Sequence, residues 1–224
     1  MDRYTRNLGP ITRQEQQRLE NCRVCIVGCG GLGGHLAEYL ARIGVGYLTV
    51  VDGDRFDRTN LNRQLLCTEE NLGRSKAAEA KKRLLQINPT IHASAVEQFL
   101  TEENAPSIVS GHDLVLDALD SVSGRLVLQR ICADLEIPLI HGAVEGWFGQ
   151  VTTVLPGEDT LSRLYPGGNG YSEASPGTLS FAPGFVASVQ AAEAVKLLLG
   201  KEPSLRGKVL FADLLSGHFD ILPL

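Results

Sequence analysis

The run "GCGGLG" sets Gly28, Gly30 and Gly33 in a G-x-G-x-x-G turn, with Gly31 inside it, between an apolar stretch and a helical one. Glycines at that spacing let backbone N–H groups approach phosphate oxygens, and the helix that follows turns its partial positive end to the same anion. Asp52 closes the next apolar run, where a carboxylate can accept hydrogen bonds from ribose hydroxyls. Strand, loop, helix and distal acid together weigh against a turn that merely packs tightly. NAD and ATP both carry the phosphates and ribose that such a pattern recognises, so the choice lies in charges outside the loop. Holding NAD requires only that the pyrophosphate charge be managed, whereas breaking ATP at its α-phosphate needs cations for the developing negative charge and usually a divalent metal. Arg63 in "NLNRQ" and Lys76 at the start of a helix are the candidate cations, and Asp120 at the end of a strand is the candidate metal ligand. Each alone reads as a solvated surface charge. As a set they all follow C-terminal ends of strands, where doubly wound sheets bind ligands.

The elements that must position these residues alternate. "RVCIV" reads as a central strand buried on both faces, Leu32 to Ile43 as a helix closed by Gly44, and "YLTVVD" as a second strand, which completes one βαβ unit. "GDRFDRTNLNRQLLCTEENLG" is polar and too long for a plain connector, so it is a functional loop or a set of short irregular helices. Ser75 to Asn88 carries Ala77, Ala80, Leu84 and Ile87 on one face, and Pro89 stops it. "IHASAV" and "HDLVLDALD" follow as strands, the second opening into a loop over Asp117 to Asp120, then a helix from about Ser123 to Leu135 and a strand at "PLIHGAV". Beyond Gly149 come a β-rich "GQVTTVLPG", a Gly, Pro and Ser-rich stretch over 156–184, the apolar helix "GFVASVQAAEAVKLLLG", and a hairpin turning at Ser216 and Gly217. The expected fold is α/β: a Rossmann-like doubly wound, mostly parallel sheet with a C-terminal β-rich extension.

The 224 residues suffice for one full core but not for a second large substrate domain. At 43% hydrophobic and 21% charged, the composition excludes disorder and fibre. No apolar run approaches the roughly 18 residues of a membrane span, and the polar start carries no signal-peptide core, so a cytoplasmic protein is expected. The net charge of -5 hides an asymmetry, with basic residues in excess through Arg83 and acidic ones after it. A basic first half suits a polyanion in a pocket, not a nucleic-acid stripe. Five cysteines without regular spacing suit reduced thiols, and Cys22 and Cys25, three apart along a strand, point to opposite faces and not to one metal.

With these residues in place, the segments "RYTRN", "GCGGLG", "VVDGDRFDRTNLNRQ", "LGRSKA", "INP", "LVLDALDS" and "GQVTTVLPG" resemble, in that order, the MoeB/ThiF/HesA family, bacterial relatives of the ubiquitin-activating enzymes. The resemblance runs from Arg3 to about Leu222 and implies one ThiF-type ATP-binding domain over 1–224: a helical arm at 1–22, a nucleotide-binding core at 23–148, and a carrier-binding part at 149–224. It implies adenylation, with Mg²⁺ and ATP, of the C-terminal glycine of a ubiquitin-fold sulfur carrier of the MoaD or ThiS type, ending in Gly-Gly, with release of pyrophosphate. Molybdopterin, thiamine or a related pathway would be served. By the same likeness Gly31 lies in the ATP loop, Asp52 holds the ribose, and Asn60, Arg63, Gln64 and Lys76 contact the triphosphate, with Asp54 and Ser121 counted in the nucleotide set. Asp120 matches the metal-associated aspartate. Arg6 matches an arginine supplied across a dimer interface to the partner's ATP, which implies a homodimer; neither membrane nor nucleic acid is expected as a partner.

Three departures stand out. Many relatives hold a structural zinc with two C-x-x-C pairs; here the first position reads "DTLSRLYP", the chain ends "ILPL", and no cysteine follows Cys132, so no zinc site is expected. The same absence removes the cysteine that some members place in the segment matching "GYSEASPG". That leaves Cys67 and Cys132 as the thiols that could carry sulfur or a thioester. Thirdly, the family's usual Asp-Asn pair is Asp120-Ser121. His35 and His141 read as packing or surface residues, and Trp147 as either a lining of the carrier's tail groove or a core residue. Two other readings compete: a dehydratase that activates a carboxylate on threonylcarbamoyladenosine of tRNA, for which the acidic second half offers no evident RNA surface, and an idle member acting as a binding partner, against which Asp52, Arg63, Lys76 and Asp120 speak. A NAD-dependent oxidoreductase lacks its catalytic acid and second domain here.

Overall fold

The computed structural model describes residues 2–168 and 177–224, so most of "GYSEASPG" lies outside the described residues. Eight strands form one sheet: β1 (Arg23–Val27), β2 (Tyr47–Val51), β3 (His92–Val96), β4 (Leu114–Asp117), β5 (Leu139–Glu145), β6 (Phe148–Val154), β7 (Lys208–Asp213) and β8 (His218–Pro223). Their order is β3-β2-β1-β4-β5-β6-β7-β8. The first five are parallel, and the last three join antiparallel as the β-rich extension that the sequence suggests. The chain adds β2 and β3 on one side of β1 and then crosses to add β4 and β5 on the other, so the order reverses between β1 and β4, the switch point where such sheets bind ligands.

Helices α1 (Arg13–Leu19), α2 (Gly31–Ile43), α3 (Lys76–Ile87), α4 (Ala105–Val109), α5 (Val122–Asp134), α6 (Thr160–Leu164) and α7 (Phe181–Leu198) cover both faces. Alternation along the buried strands divides the core. Val24 and Ile26 of β1 face α2, α3 and α7 with Leu36, Leu40 and Leu84, whereas Cys25 and Val27 face α4, α5 and α6 with Val115 and Leu128. Cys22 and Cys25 accordingly fall in opposite halves.

The helix ends carry the chemistry the sequence offers. Gly44 stops α2 at φ 95, a left-handed conformation open to glycine at little cost. Ser75 caps α3, its Oγ accepting the Ala78 N–H at 3.3 Å, and Ser121 caps α5 by accepting the Gly124 N–H at 3.3 Å. The hydroxyl at Ser121 therefore does the capping that an asparagine would do, which is why the departure at that position leaves the turn intact. The long polar segment after β2 is built of two 3-10 turns, Arg58–Asn60 and Glu69–Asn71, each closed by a reciprocal cap at Asp57 and Thr68. Helices α4 and α6 have five residues each; the first lies in a stretch the sequence left unassigned, and the second in the Gly, Pro and Ser-rich stretch. Among the described residues no helix is long and apolar enough to cross a membrane.

Candidate active site

Along the C-terminal ends of β1, β2, β4 and β5 runs a cleft of about 920 Å³. Gly28, Gly30 and Gly31 form its floor, Asp52 and Asp54 one wall, Asp120 and Ser121 the other, and Arg63, Gln64 and Lys76 reach in from the segments that follow β2. Ten of the residues singled out from sequence are thereby brought together by the ends of β1, β2 and β4, the starts of α2, α3 and α5, and the segment after β2.

The glycines divide the work. Gly28 sits at φ +100, and a Cβ there would stand 2.4 Å from the Ala118 carbonyl oxygen. A Cβ on Gly33 would meet the Gly28 carbonyl oxygen at 1.7 Å, so Gly33 serves the approach of α2 to the loop and does not line the cleft. Gly30, the N-cap of α2, has no side-chain cap, and its position faces open cleft, with Gln64 Nε2 3.6 Å from where a Cβ would lie. The first-turn N–H groups of α2 are thus presented to the cleft as an anion seat.

Asp52 organises that seat before any ligand arrives. Its Oδ2 accepts the Cys29 N–H at 2.7 Å and its Oδ1 the Asp54 N–H at 2.8 Å. A carboxylate has about four acceptor sites, so ribose hydroxyls can still be received. Lys76, at the first position of α3, is 7% exposed, and its Nζ lies 3.0 Å from Asp54 Oδ2. Arg63 uses Nη1 to hold the Thr59 carbonyl at 2.8 Å and Asn62 Oδ1 at 3.0 Å. Phe99, which the sequence did not mark, closes the corner beside Asp52: a Cβ on Gly53 would come within 2.6 Å of its ring.

Asn60 falls elsewhere than expected, and Arg6, expected to serve a partner's site, lies apart from the cleft of its own chain. Asn60 is buried away from the cleft, where its Oδ1 accepts the Asp57 N–H at 3.2 Å and closes the 3-10 turn that carries Arg63. Arg6 lies exposed in a 3-10 helix, Asp2–Asn7, anchored at the far end of α2, where Asn7 Nδ2 donates to the Ile43 carbonyl at 3.3 Å. Thirteen helical residues, about 20 Å, separate that end from the glycine loop. Arg6 therefore lies far from the cleft of its own chain.

The arrangement fits a nucleotide polyphosphate. Gln64 Oε1 is buried with no hydrogen-bond partner, a vacant acceptor beside the loop that a ligand donor or a water would satisfy. Among the described residues no three His, Cys, Asp or Glu side chains are placed to hold a metal by themselves. A hard divalent cation would need phosphate oxygens and water beside Asp120, as Mg²⁺ usually does.

The thiols are the least available groups near the site. Cys29, Cys67 and Cys132 are all buried. Burial pushes the Cys67 thiol up, with the Asp57 charge adding to it, and Cys67 Sγ donates to the Asp57 carbonyl at 3.7 Å; Cys132 is pushed up to about 12. Carrier incubated with the enzyme, ATP and Mg²⁺ should form no thioester on Cys67, because a protonated, enclosed thiol is a poor nucleophile. A carrier thioester on Cys67, detected by mass spectrometry and cleaved by hydroxylamine, would contradict this. Trp147 sits at the tip between β5 and β6, 5.1 Å from Phe181, partly exposed and outside the core. His35 is half-buried on α2 against Gly184 of α7.

A doubly wound α/β protein with a glycine turn at its switch point and cations gathered beyond it is the class that fold and cleft define. Residues 4–224 match the ThiF family. The chain is 37% identical over 229 residues to the SAMP-activating enzyme E1 of Haloferax volcanii, covering all of this chain and 85% of that one. It is 38% identical to the sulfur carrier protein adenylyltransferase of Thermus thermophilus, over 98% of this chain and 85% of that one. Its fold matches the crystal structure of E. coli MccB with a TM-score of 0.87 at 22% identity, over 99% of this chain and 69% of that one. The chain belongs to the ThiF family, and it is an enzyme of the adenylyltransferase kind.

Proposed function

We propose that this enzyme uses ATP and Mg²⁺ to adenylate the C-terminal glycine of a small ubiquitin-fold sulfur carrier. The observation that carries the reading is the convergence of Arg63, Lys76 and Asp120 with the glycine turn on one cleft. That cleft continues past Gln150 to Phe148 and Phe211, whose rings stand 5.7 Å apart and are 44% and 39% exposed on the sheet extension. An exposed aromatic pair at the mouth suits a protein partner, and the cleft behind it suits an extended tail.

A carboxylate oxygen of the tail would bond to the α-phosphorus while the bond from that phosphorus to the pyrophosphate oxygen breaks. Both reactants are anionic, so the task of the site is to offset repulsion and hold the line of attack. Lys76 and Arg63 would supply positive charge to the phosphates, and the α2 N-terminus would seat them. Asp52 would fix the ribose. No general base is required, because a glycine carboxylate is ionised at neutral pH. Mg²⁺ beside Asp120 would neutralise charge on the departing pyrophosphate. Arg6, exposed and distant from its own cleft, would complete the site of a second copy in a homodimer.

ATP–pyrophosphate exchange tests the reading. Exchange should appear only with MoaD- or ThiS-type carriers that keep their final glycine, and should vanish with carriers shortened by that residue. Exchange independent of any carrier, or ATP turnover driven by tRNA, would replace it.

A further inference from the structure

Beneath the Asp120 wall lies a buried polar ring. Asp117, at the end of β4 and fully buried, accepts the Leu119 N–H with Oδ1 at 2.9 Å and meets His141 Nδ1 with Oδ2 at 2.6 Å. That contact commits the His141 proton to Nδ1, so Nε2 is the acceptor for the Tyr165 hydroxyl at 3.0 Å. Tyr165 in turn accepts from Arg125 Nη1 at 2.9 Å and from Gln150 Nε2. Arg125 closes the ring by donating Nε and Nη2 to the Leu119 carbonyl at 3.2 and 2.8 Å.

The N–H and the C=O of Leu119, the residue immediately before Asp120, are therefore both held by buried side chains. Asp120 itself is exposed, so nothing on its solvent side fixes its direction. Burial keeps His141 neutral by lowering its pKa against the pull of Asp117, and pushes Tyr165 up to about 12, so each hydrogen stays where the ring needs it. Only Asp117 and Arg125 carry charge, and they offset one another across 4.0 Å. A network satisfied this fully is rigid, and it links the Asp120 turn to β5, β6 and the end of α6.

We propose that the ring formed by Asp117, His141, Tyr165 and Arg125 is a positioning device that aims Asp120 at the divalent cation accompanying the nucleotide. The proposal rests on the reading of Asp120 as the metal carboxylate. Arg125 and Tyr165 also reach the lining of the cleft, but none of the four is assigned a part at the reacting atoms. Their effect should appear in metal affinity and not in the binding of the nucleotide itself.

Tyr165→Phe opens the ring at one atom and keeps the packing. Mn²⁺ binding to the enzyme with a non-hydrolysable ATP analogue, followed by electron paramagnetic resonance, should weaken by roughly tenfold, about what one lost hydrogen bond to a charged group brings. Metal-free affinity for the same analogue, read by calorimetry, should stay within about twofold. Arg125→Lys, which keeps the charge and loses the fork, should behave alike, and high Mg²⁺ should restore exchange in both. Circular dichroism establishes that each variant is folded; if one is not, the other decides. Asp120→Asn separates the two levels. If it leaves Mn²⁺ affinity unchanged, the metal reading falls and the proposal with it. If it weakens Mn²⁺ while Tyr165→Phe and Arg125→Lys do not, the ring is only structural and the proposal alone is overturned.

Discussion

Lys76→Ala should lower kcat/KM for carrier activation by about a hundred- to a thousandfold, the loss typical of removing one preorganised donor from a site of developing negative charge. The size follows from burial. Lys76 is 7% exposed at the start of α3, and its Nζ lies between Asp54 and the cleft. Water cannot replace it at the same place without giving up its own ordering. Stability should change far less, by about 1–2 kcal/mol, because the side chain of Asp54 is 53% exposed and regains solvent when its partner is removed. Lys76→Arg should recover part of the rate, since the charge persists and the compact ammonium does not. Steady-state kinetics beside urea denaturation separates the two effects. A rate loss below about tenfold would mean that the Asp54 pair is the sole task of Lys76, and the phosphate role would have to pass to Arg63.

What the sequence made legible follows from periodicity and topology. A strand, a glycine turn, a helix stopped by Gly44 and a second strand are local patterns. The rule that doubly wound sheets bind at strand C-terminal ends then brings Asp52, Lys76 and Asp120 together from well-separated parts of the chain. The limits are equally physical. Helices α4 and α6 have five residues each, too few for an apolar period to show. His141 read as a packing or surface residue, and it is buried but bonded on both ring nitrogens. Its partners Asp117 and Tyr165, and Arg125 beyond Tyr165, come from a strand end, the residue after α6 and the first turns of α5, and a polar contact between such distant elements leaves no mark in spacing. Phe99 escaped for a related reason, because its place over Gly53 depends on where β3 delivers the chain. Asn60 shows the converse. Arg63 and Gln64 of "NLNRQ" line the cleft while Asn60 caps the turn that holds them.

The glycine turn offers the sharpest separation of fold from function, and it predicts that of two substitutions three residues apart only one costs stability. Gly33→Ala places a methyl 1.7 Å from the backbone oxygen of Gly28, where neither atom belongs to a side chain that can turn away. Either α2 retreats from β1 or the loop changes path, and both disturb the core around Leu32 and Leu36. A loss of about 3 kcal/mol or more is expected, the upper end of what overpacking costs, with nucleotide affinity falling as a consequence. Gly30→Ala meets nothing closer than 3.6 Å, and that neighbour is the movable amide of Gln64. Its stability should stay within about 1 kcal/mol of the parent. The methyl would nonetheless stand in the cleft over the N–H groups of α2, where close approach of a phosphate requires bare backbone, so ATP affinity should fall by at least about tenfold. Urea denaturation and calorimetric titration with ATP on the same two variants decide the matter. If Gly30→Ala binds ATP like the parent, the anion seat is not at the α2 N-terminus. If Gly33→Ala unfolds at the parent's urea midpoint, the loop is more pliable than its contacts indicate.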